Sequence, residues 1–245
     1  MRLLFFCICV FSLPSVDALE SLPTTSIIAL NKIPGLLNEG DTKLPYNKVL
    51  ASLNMNIETD IEYQFYPAIR ASFVFNNKKS LCMFPASLTT NLDKKDMLIE
   101  TIPINNAQAF FLGNSVIKAE DILAKDTDKL IIGFRRGNSF GGTIEHLSHH
   151  TLLPLDSDEQ SANMFNKGRI DTILAYMPDS IAILNMHPKR PLTYSKESLF
   201  YTQADSFLCH KTKEGIALVA AFDKEISAMK RSGALKRLLG EAFIE

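Results

Sequence analysis

Apolar positions along the first half of the chain switch between a period near two and a period near 3.6, the pattern of alternating strands and helices. Thr25 to Leu30 (T-S-I-I-A-L) reads as a buried strand that ends in a loop with Pro34, Gly35 and Gly40. Val49, Leu50 and Leu53 fall at helical spacing within Leu44 to Leu53, and Asp60 to Phe65 alternates through Ile61, Tyr63 and Phe65. Pro67 suits a first helical position, with Ile69 and Phe73 on one face of the helix that follows. The polar turn Asn76-Asn77-Lys78-Lys79 leads into a third strand, Ser80 to Phe84. The order β-α-β-α-β predicts a parallel sheet with helices on its faces.

The second half repeats the scheme. A short helix is expected over Ala119 to Ala124, with Glu120 and Asp121 near its start, where the helix dipole favours them. A strand over Leu130 to Phe134 runs into a Gly-rich turn and a helix near Thr143 to His150. Another helix, Ser157 to Asn166, precedes the strand Ile170 to Ala175. Helix, Asn/Lys turn and strand thus occur in both halves, as two similar α/β lobes would require. At the C-terminal end Ile216, Val219, Phe222, Ile226 and Met229 form an apolar helical stripe. Ser232-Gly233 interrupts it, and Leu235, Leu238, Leu239 and Ala242 continue it; core packing accounts for both stripes.

The N-terminus breaks the pattern. Arg2 precedes an apolar run, Leu3 to Leu13, interrupted only by Ser12, and Val16-Asp17-Ala18 offers a small-residue cleavage site. That is the form of a secretory signal peptide, residues 1–18, cleaved near Ala18. At roughly 1.5 Å per residue the run spans about half of a ~30 Å hydrocarbon core, too little for an anchor. The chain is 46% hydrophobic and 22% charged, an ordinary globular balance with a real core. Its net charge of −1 implies no general attraction to nucleic acid or anionic lipid. Beyond the leader only Cys82 and Cys209 remain, able to pair or to stay as buried thiols in an oxidising compartment.

Three clusters carry candidate chemistry. Gly137-Asn138-Ser139-Phe140-Gly141 is a G-x-S-x-G sequence between a strand and a helix, the setting of a nucleophile elbow. Asp171 or Asp179 with His187 or His210 would complete a triad for a serine hydrolase using Ser139. No His-Gly-Gly oxyanion loop lies upstream and the strands are few, so the simpler use of such a turn is to bind a polar or anionic group through its free amides. His146 and His150 are four apart and would share a helix face, with His149 beside them and Glu145 as the one evident third ligand. Dipole-favoured histidines in a last helical turn explain them without a metal. Arg70, Arg135 and Arg136 offer guanidinium forks for a carboxylate or phosphate, and Tyr66, Phe140 and Tyr176 stand at strand ends or turns where aromatic pocket walls form.

In order and spacing these pieces resemble the type 2 periplasmic solute-binding proteins, in particular the family 3 extracellular group that serves ABC importers. The landmarks are Ile61 to Arg70 (I-E-Y-Q-F-Y-P-A-I-R), Leu81 to Ser87 (L-C-M-F-P-A-S), Thr101-Ile102-Pro103-Ile104 and Ala119-Glu120-Asp121-Ile122-Leu123. Ile132 to Ser139 (I-G-F-R-R-G-N-S), Lys167-Gly168-Arg169-Ile170-Asp171 and Met229 to Leu235 complete them. The resemblance implies two lobes, each a mostly parallel sheet flanked by helices, joined by two hinge strands near Phe110 to Gly113 and Thr202 to Phe207. Lobe one would comprise residues 19–111 and 204–245, lobe two residues 112–203. A small polar ligand would be held between them by hinge closure, without cofactor, metal or catalytic residue. The protein would be a periplasmic monomer with no stable membrane insertion, serving an ABC permease or, alternatively, a membrane sensor.

Carried over by position, the resemblance implies ligand contacts from Asn31, Tyr66, Arg70, Ala86 and Ser87. From the second lobe come Arg136, Asn138, Ser139, Phe140, Tyr176 and Asp179. Two departures stand out. The Thr89-Thr90-Asn91-Leu92-Asp93-Lys94 stretch lacks the Arg that clamps an α-carboxylate in amino-acid binders of the family, and Tyr176 takes the place of the acid that holds the ammonium group. A ligand amine buried without a carboxylate would cost several kcal/mol, which argues against an ordinary α-amino acid. If the returning strand that carries Cys209 lies beside the one that carries Cys82, the two thiols could approach each other.

Overall fold

The computed structural model describes residues 25–138, 140–177, 179–180 and 192–244. The expected leader, Ser139 and His187 lie outside the described residues. The strands are β1 (Ser26–Asn31), β2 (Ile61–Tyr66), β3 (Cys82–Ala86), β4 (Leu98–Glu100), β5 (Asn105–Leu112), β6 (Ile131–Arg135), β7 (Thr151–Leu155), β8 (Thr172–Met177) and β9 (Tyr201–His210). The helices are α1 (Pro45–Asn56), α2 (Ala68–Asn76), α3 (Ala119–Leu123), α4 (Asp158–Asn166), α5 (Lys213–Arg231) and α6 (Ala234–Leu239). No helix among the described residues is long and apolar enough to cross a membrane.

Strands pair in the order β2-β1-β3-β9-β5-β8-β6-β7, with β4 also on β9. β1 lies parallel between β2 and β3, as the β-α-β-α-β reading requires, and β6 lies parallel between β7 and β8. The long strand β9 belongs to both halves. Its first five residues, Tyr201 to Asp205, pair antiparallel with Ala109 to Asn105 of β5; from Ser206 onward it pairs with β3 and β4. β5 in turn passes to β8 through Gln108 to Leu112.

Both sheets are covered on both faces, so their central strands are apolar almost throughout. In β1, Ile28 and Leu30 face α1, α5 and α6, together with Phe84, Phe207, Phe222 and Ile226, while Ala29 faces α2 with Val74 and Phe75. In β8, Leu174 and Tyr176 join Phe111, Ile132 and Phe140, while Ile173 and Ala175 join Phe165 of α4. Phe207 and Phe222 stack with ring centroids 4.2 Å apart. Ser157 caps α4 by accepting the Gln160 amide at 3.1 Å, and Thr212 caps α5 by accepting that of Gly215 at 3.1 Å.

Four local expectations are corrected. Ile69 and Phe73 are 58% and 50% exposed; Ala71, Val74 and Phe75 form the buried face of α2. Ile216 is exposed, and Leu218 takes its place in the α5 stripe. The helix near 143–150 is a kinked 3-10 segment, Phe140–Leu147, because Gly141 and Gly142 hold left-handed φ of 63° and 82° and Thr143 Oγ1 turns back onto the Phe140 carbonyl at 2.5 Å. A Cβ at residue 141 would run into the Tyr201 ring. The chain then enters β7, a strand the periodicity did not announce because Pro154 sits within it.

Cys82 and Cys209 face each other across β3 and β9 and are joined by a disulfide spanning 127 residues of sequence. The bond fastens the returning strand to the first sheet. Replacing both cysteines with alanine is expected to cost about 2–4 kcal/mol in chemical denaturation, and thiol titration of the unreduced, unfolded protein is expected to find neither residue free.

Candidate ligand-binding cleft

Between the two sheets lies a polar cavity of about 220 Å³. It opens beyond the C-terminal ends of β1, β3, β6 and β8, where loops leave parallel strands and backbone amides and short polar side chains become available. The first sheet contributes Asn31 at the end of β1, Pro85 and Ala86 at the end of β3, and Thr90 and Asn91 just beyond. Ser72 and Asn76 come from α2. Gly137, Asn138, Tyr176 and Asp179 come from the second sheet, and Ala107, Gln203 and Asp205 from the two shared strands.

The wall is pre-organised by internal hydrogen bonds. Tyr176 Oη donates to Gln203 Oε1 at 3.1 Å, and its ring stacks on Phe140 at 4.8 Å. Ser180 holds the turn that carries Asp179, its Oγ donating to the Tyr176 carbonyl at 2.9 Å. Asn91 donates to the Ser87 carbonyl and to Thr90 Oγ1, each at 3.0 Å. Tyr46 of α1 donates its hydroxyl to Asp205, and Asn105 donates to Tyr46 Oη at 3.2 Å. The Asn31 Oδ1 atom is buried and has no hydrogen-bond partner among the described residues.

One side chain links the halves directly. Arg135, at the end of β6, donates from Nη2 to the Lys32 carbonyl at 3.2 Å, while its Nη1 lies 4.0 Å from Asp158. Beside it, Gly137 adopts φ 95°, and a Cβ there would stand 3.4 Å from Ile69 Cγ1. The turn after β6 therefore rests against the start of α2.

Of the residues expected from sequence, Asn31, Ala86, Asn138, Tyr176 and Asp179 line the cavity. Others are placed elsewhere. Arg136 points outward to Asp156 at 3.1 Å, because successive residues leaving a strand face opposite ways; its neighbour Arg135 faces the first sheet. Arg70 lies over the Phe73 ring, 5.4 Å from the centroid. Tyr66 donates to Gln64 Oε1 at 2.6 Å and packs on the cluster beneath α2. Ser87 is buried as the cap of the 3-10 turn at Leu88–Thr90. Phe140 is fully buried, backing Tyr176 rather than reaching the cavity.

The hydrolase constellation loses its frame. Among the described residues the kinked 3-10 segment Phe140–Leu147, not an α-helix, follows β6, so no strand–turn–helix elbow forms there. Asp171 accepts the Ile131 amide, and His210 stacks on Phe75 and bonds its carbonyl, outside the cavity lining. His149 and His150 both reach the Ile122 carbonyl, and His150 Nδ1 accepts the Leu130 amide, so they tie α3 to the edge of the second sheet.

The expected Asp179 is joined at the cavity by a second acid that the sequence did not single out. Asp179 and Asp205 both line the cavity, and Asp205 was legible only as a charge inside an otherwise apolar strand. Burial, joined by the charges of Asp205 and Asp158 and opposed by Arg135, pushes the Asp179 carboxyl up to about 8. Burial likewise raises Asp205 to about 7, against the hydrogen bond from Tyr46. Among the described residues no Lys or Arg lines the cavity. Lys94 from the Thr-rich stretch donates to Asn76 Oδ1 at 2.9 Å and is not part of the lining.

The two lobes, their mixed sheets and the shared strands are those of the type 2 periplasmic-binding fold. A solved amino acid ABC transporter substrate-binding protein from Streptococcus pneumoniae, bound to L-arginine, superposes with a TM-score of 0.66 at 14% identity, covering 89% of this chain and 94% of that one. The GluR0 ligand-binding core from Nostoc punctiforme, in complex with L-glutamate, gives 0.71 at 11% identity over 89% and 99%. An arginine transport system periplasmic binding protein from Legionella pneumophila gives 0.67 at 10% identity over 89% and 99%. No protein-family model and no curated protein sequence matches the chain. At such identities the likeness is one of fold.

The raised carboxyls set a pH dependence. In the unfolded chain Asp titrates near 3.9, so between about pH 4 and 8 the folded protein holds protons that the unfolded chain has released. Raising the pH through that window therefore favours unfolding. The melting temperature of ligand-free protein is expected to fall from pH 5 to pH 8.5, and Asp179→Asn to flatten the fall and melt higher than the parent at pH 8; differential scanning calorimetry checks both.

Proposed function

We propose that the protein captures a small polar molecule between its lobes and releases it unchanged, as the soluble receptor of an ABC importer in the periplasm. The observation that carries this reading is the polar cavity itself, lined from both sheets and from both strands they share. Lobe one in this reading is residues 19–111 and 204–245 and lobe two residues 112–203, with the leader 1–18 removed on export. Solved neighbours described as amino acid transporter receptors support it. At about 220 Å³ the cavity lies below the ~300–1,000 Å³ usual for drug-sized ligands, so the guest is small.

Closure is proposed to run through the crossing strands. Arg135 then latches the shut form through the Lys32 carbonyl, and Asn138 and Tyr176 reach the guest from lobe two. A sensor that passes closure to a membrane partner would use the same cleft, and a ligand-binding core among the neighbours supports that second reading. No covalent step is assigned. Labelling of Ser139 by an activated phosphonate would instead identify a hydrolase.

Ligand addition is expected to raise the melting temperature and reduce the radius of gyration in small-angle X-ray scattering, with the ligand recovered intact. Asn138→Ala is expected to weaken binding about 5–30-fold, the cost of one or two hydrogen bonds. Arg135→Gln is expected to leave the fold intact but shift the ligand-free protein toward the open, more extended form. A scattering profile indifferent to every ligand that binds would refute capture by closure.

A further inference from the structure

We infer that the cleft takes a small organic cation that carries no carboxylate, an amine or guanidine, rather than an α-amino acid. The inference rests on the capture reading above and narrows it. Two carboxylates, Asp179 and Asp205, face the cavity, and no Lys or Arg lines it among the described residues. The buried Asn31 Oδ1, without a partner among the described residues, adds a third acceptor at the same wall. Arg135, whose charge reaches Asp179, is committed to the Lys32 carbonyl and to Asp158.

Charge balance decides between ligand classes. A guest carboxylate would enter a water-poor space beside two acids and find, among the described residues, no fork to receive it. A guest ammonium or guanidinium meets acceptors in surplus, and its own charge favours the ionised form of Asp179 and Asp205. A neutral sugar would find hydrogen bonds but would give the ionised carboxylates no such partner. The groups around Asp179 come from several elements: Asp205 and Tyr46 from lobe one, Asp158, Arg135 and Tyr176 from lobe two. Arg135 is the one cation among them, against three carboxylates.

Titration supports the same ligand class. With the cleft empty, burial holds Asp179 near 8 and Asp205 near 7, so at neutral pH a cation must displace protons to bind. Its affinity therefore rises with pH between about 6 and 8.5, and proton release appears in calorimetry as a dependence of the binding heat on the ionisation enthalpy of the buffer. A ligand held through a carboxylate would weaken over that range.

The test uses the exported protein, freed of carried-over ligand by unfolding and refolding with its disulfide intact. Matched pairs that differ by one carboxylate are the probes: agmatine against L-arginine and cadaverine against L-lysine, with putrescine, L-glutamate and glucose alongside. Calorimetry and thermal shift are expected to show binding of at least one amine, with its parent amino acid roughly 100-fold weaker or more. That affinity should grow about tenfold or more from pH 6 to 8.5. Asp179→Asn and Asp205→Asn should each weaken amine binding more than tenfold while melting no lower than the parent at pH 8. An amino acid that binds as tightly as its decarboxylated partner, or glutamate or glucose binding in place of the amines, overturns the inference and leaves capture intact. Failure of every probe to bind or to compact the protein overturns both.

Discussion

The structure depends on one strand having two sets of neighbours. β9 gives its first half to β5 and its second half to β3 and β4, and the change falls between Asp205 and Ser206. A sheet that splits along a strand in this way must leave a gap where the partners diverge, and the twist of each half carries its loops toward that gap. The disulfide from Cys209 to Cys82 and the Phe207–Phe222 stack lock the second half of β9 into the first lobe. Its first half pairs only with β5, which carries on into the second sheet. Asp205, at the point of change, thereby lines the cavity and accepts the Tyr46 hydroxyl.

Burying a carboxylate at such a point is unfavourable, and a second acid, Asp179, stands at the same cavity. Asp205 is partly offset by the Tyr46 hydroxyl, itself braced by Asn105. Asp179 has the more distant charge of Arg135, which Asp158 shares. Groups left under-compensated in an otherwise satisfied interior mark places where stability has been given up for another purpose. The same balance links three behaviours through one pair of acids: stability against pH, preference for ligand charge, and protons exchanged on binding.

The lining was legible where position along a strand decides it. Asn31, Ala86, Asn138 and Asp179 follow runs of β-branched and aliphatic residues, and residues just past a parallel strand meet at one edge of the sheet whatever the rest of the fold does. Errors arose where facing decides. Arg135 and Arg136 are adjacent and chemically identical, yet the pleat sends one across the cleft and the other to solvent. Phe140 has the right place in the chain but the wrong depth: its backbone, at φ 47°, turns the ring inward beneath Tyr176. Asp205, Gln203, Ser72 and Asn76 were missed because strand and helix residues reach the cavity only through the crossing of strands distant in sequence.

By itself the sequence determined the alternation of strands and helices, the parallel pairing that follows from it, and the strand ends at which a site would form, because periodicity and turn chemistry act over a few neighbouring residues. Only the tertiary structure decided which polar side chains share the cavity, that among the described residues two acids and no lysine or arginine line it, and that Cys82 meets Cys209. Those outcomes depend on register and facing between segments more than a hundred residues apart, and no local pattern encodes them.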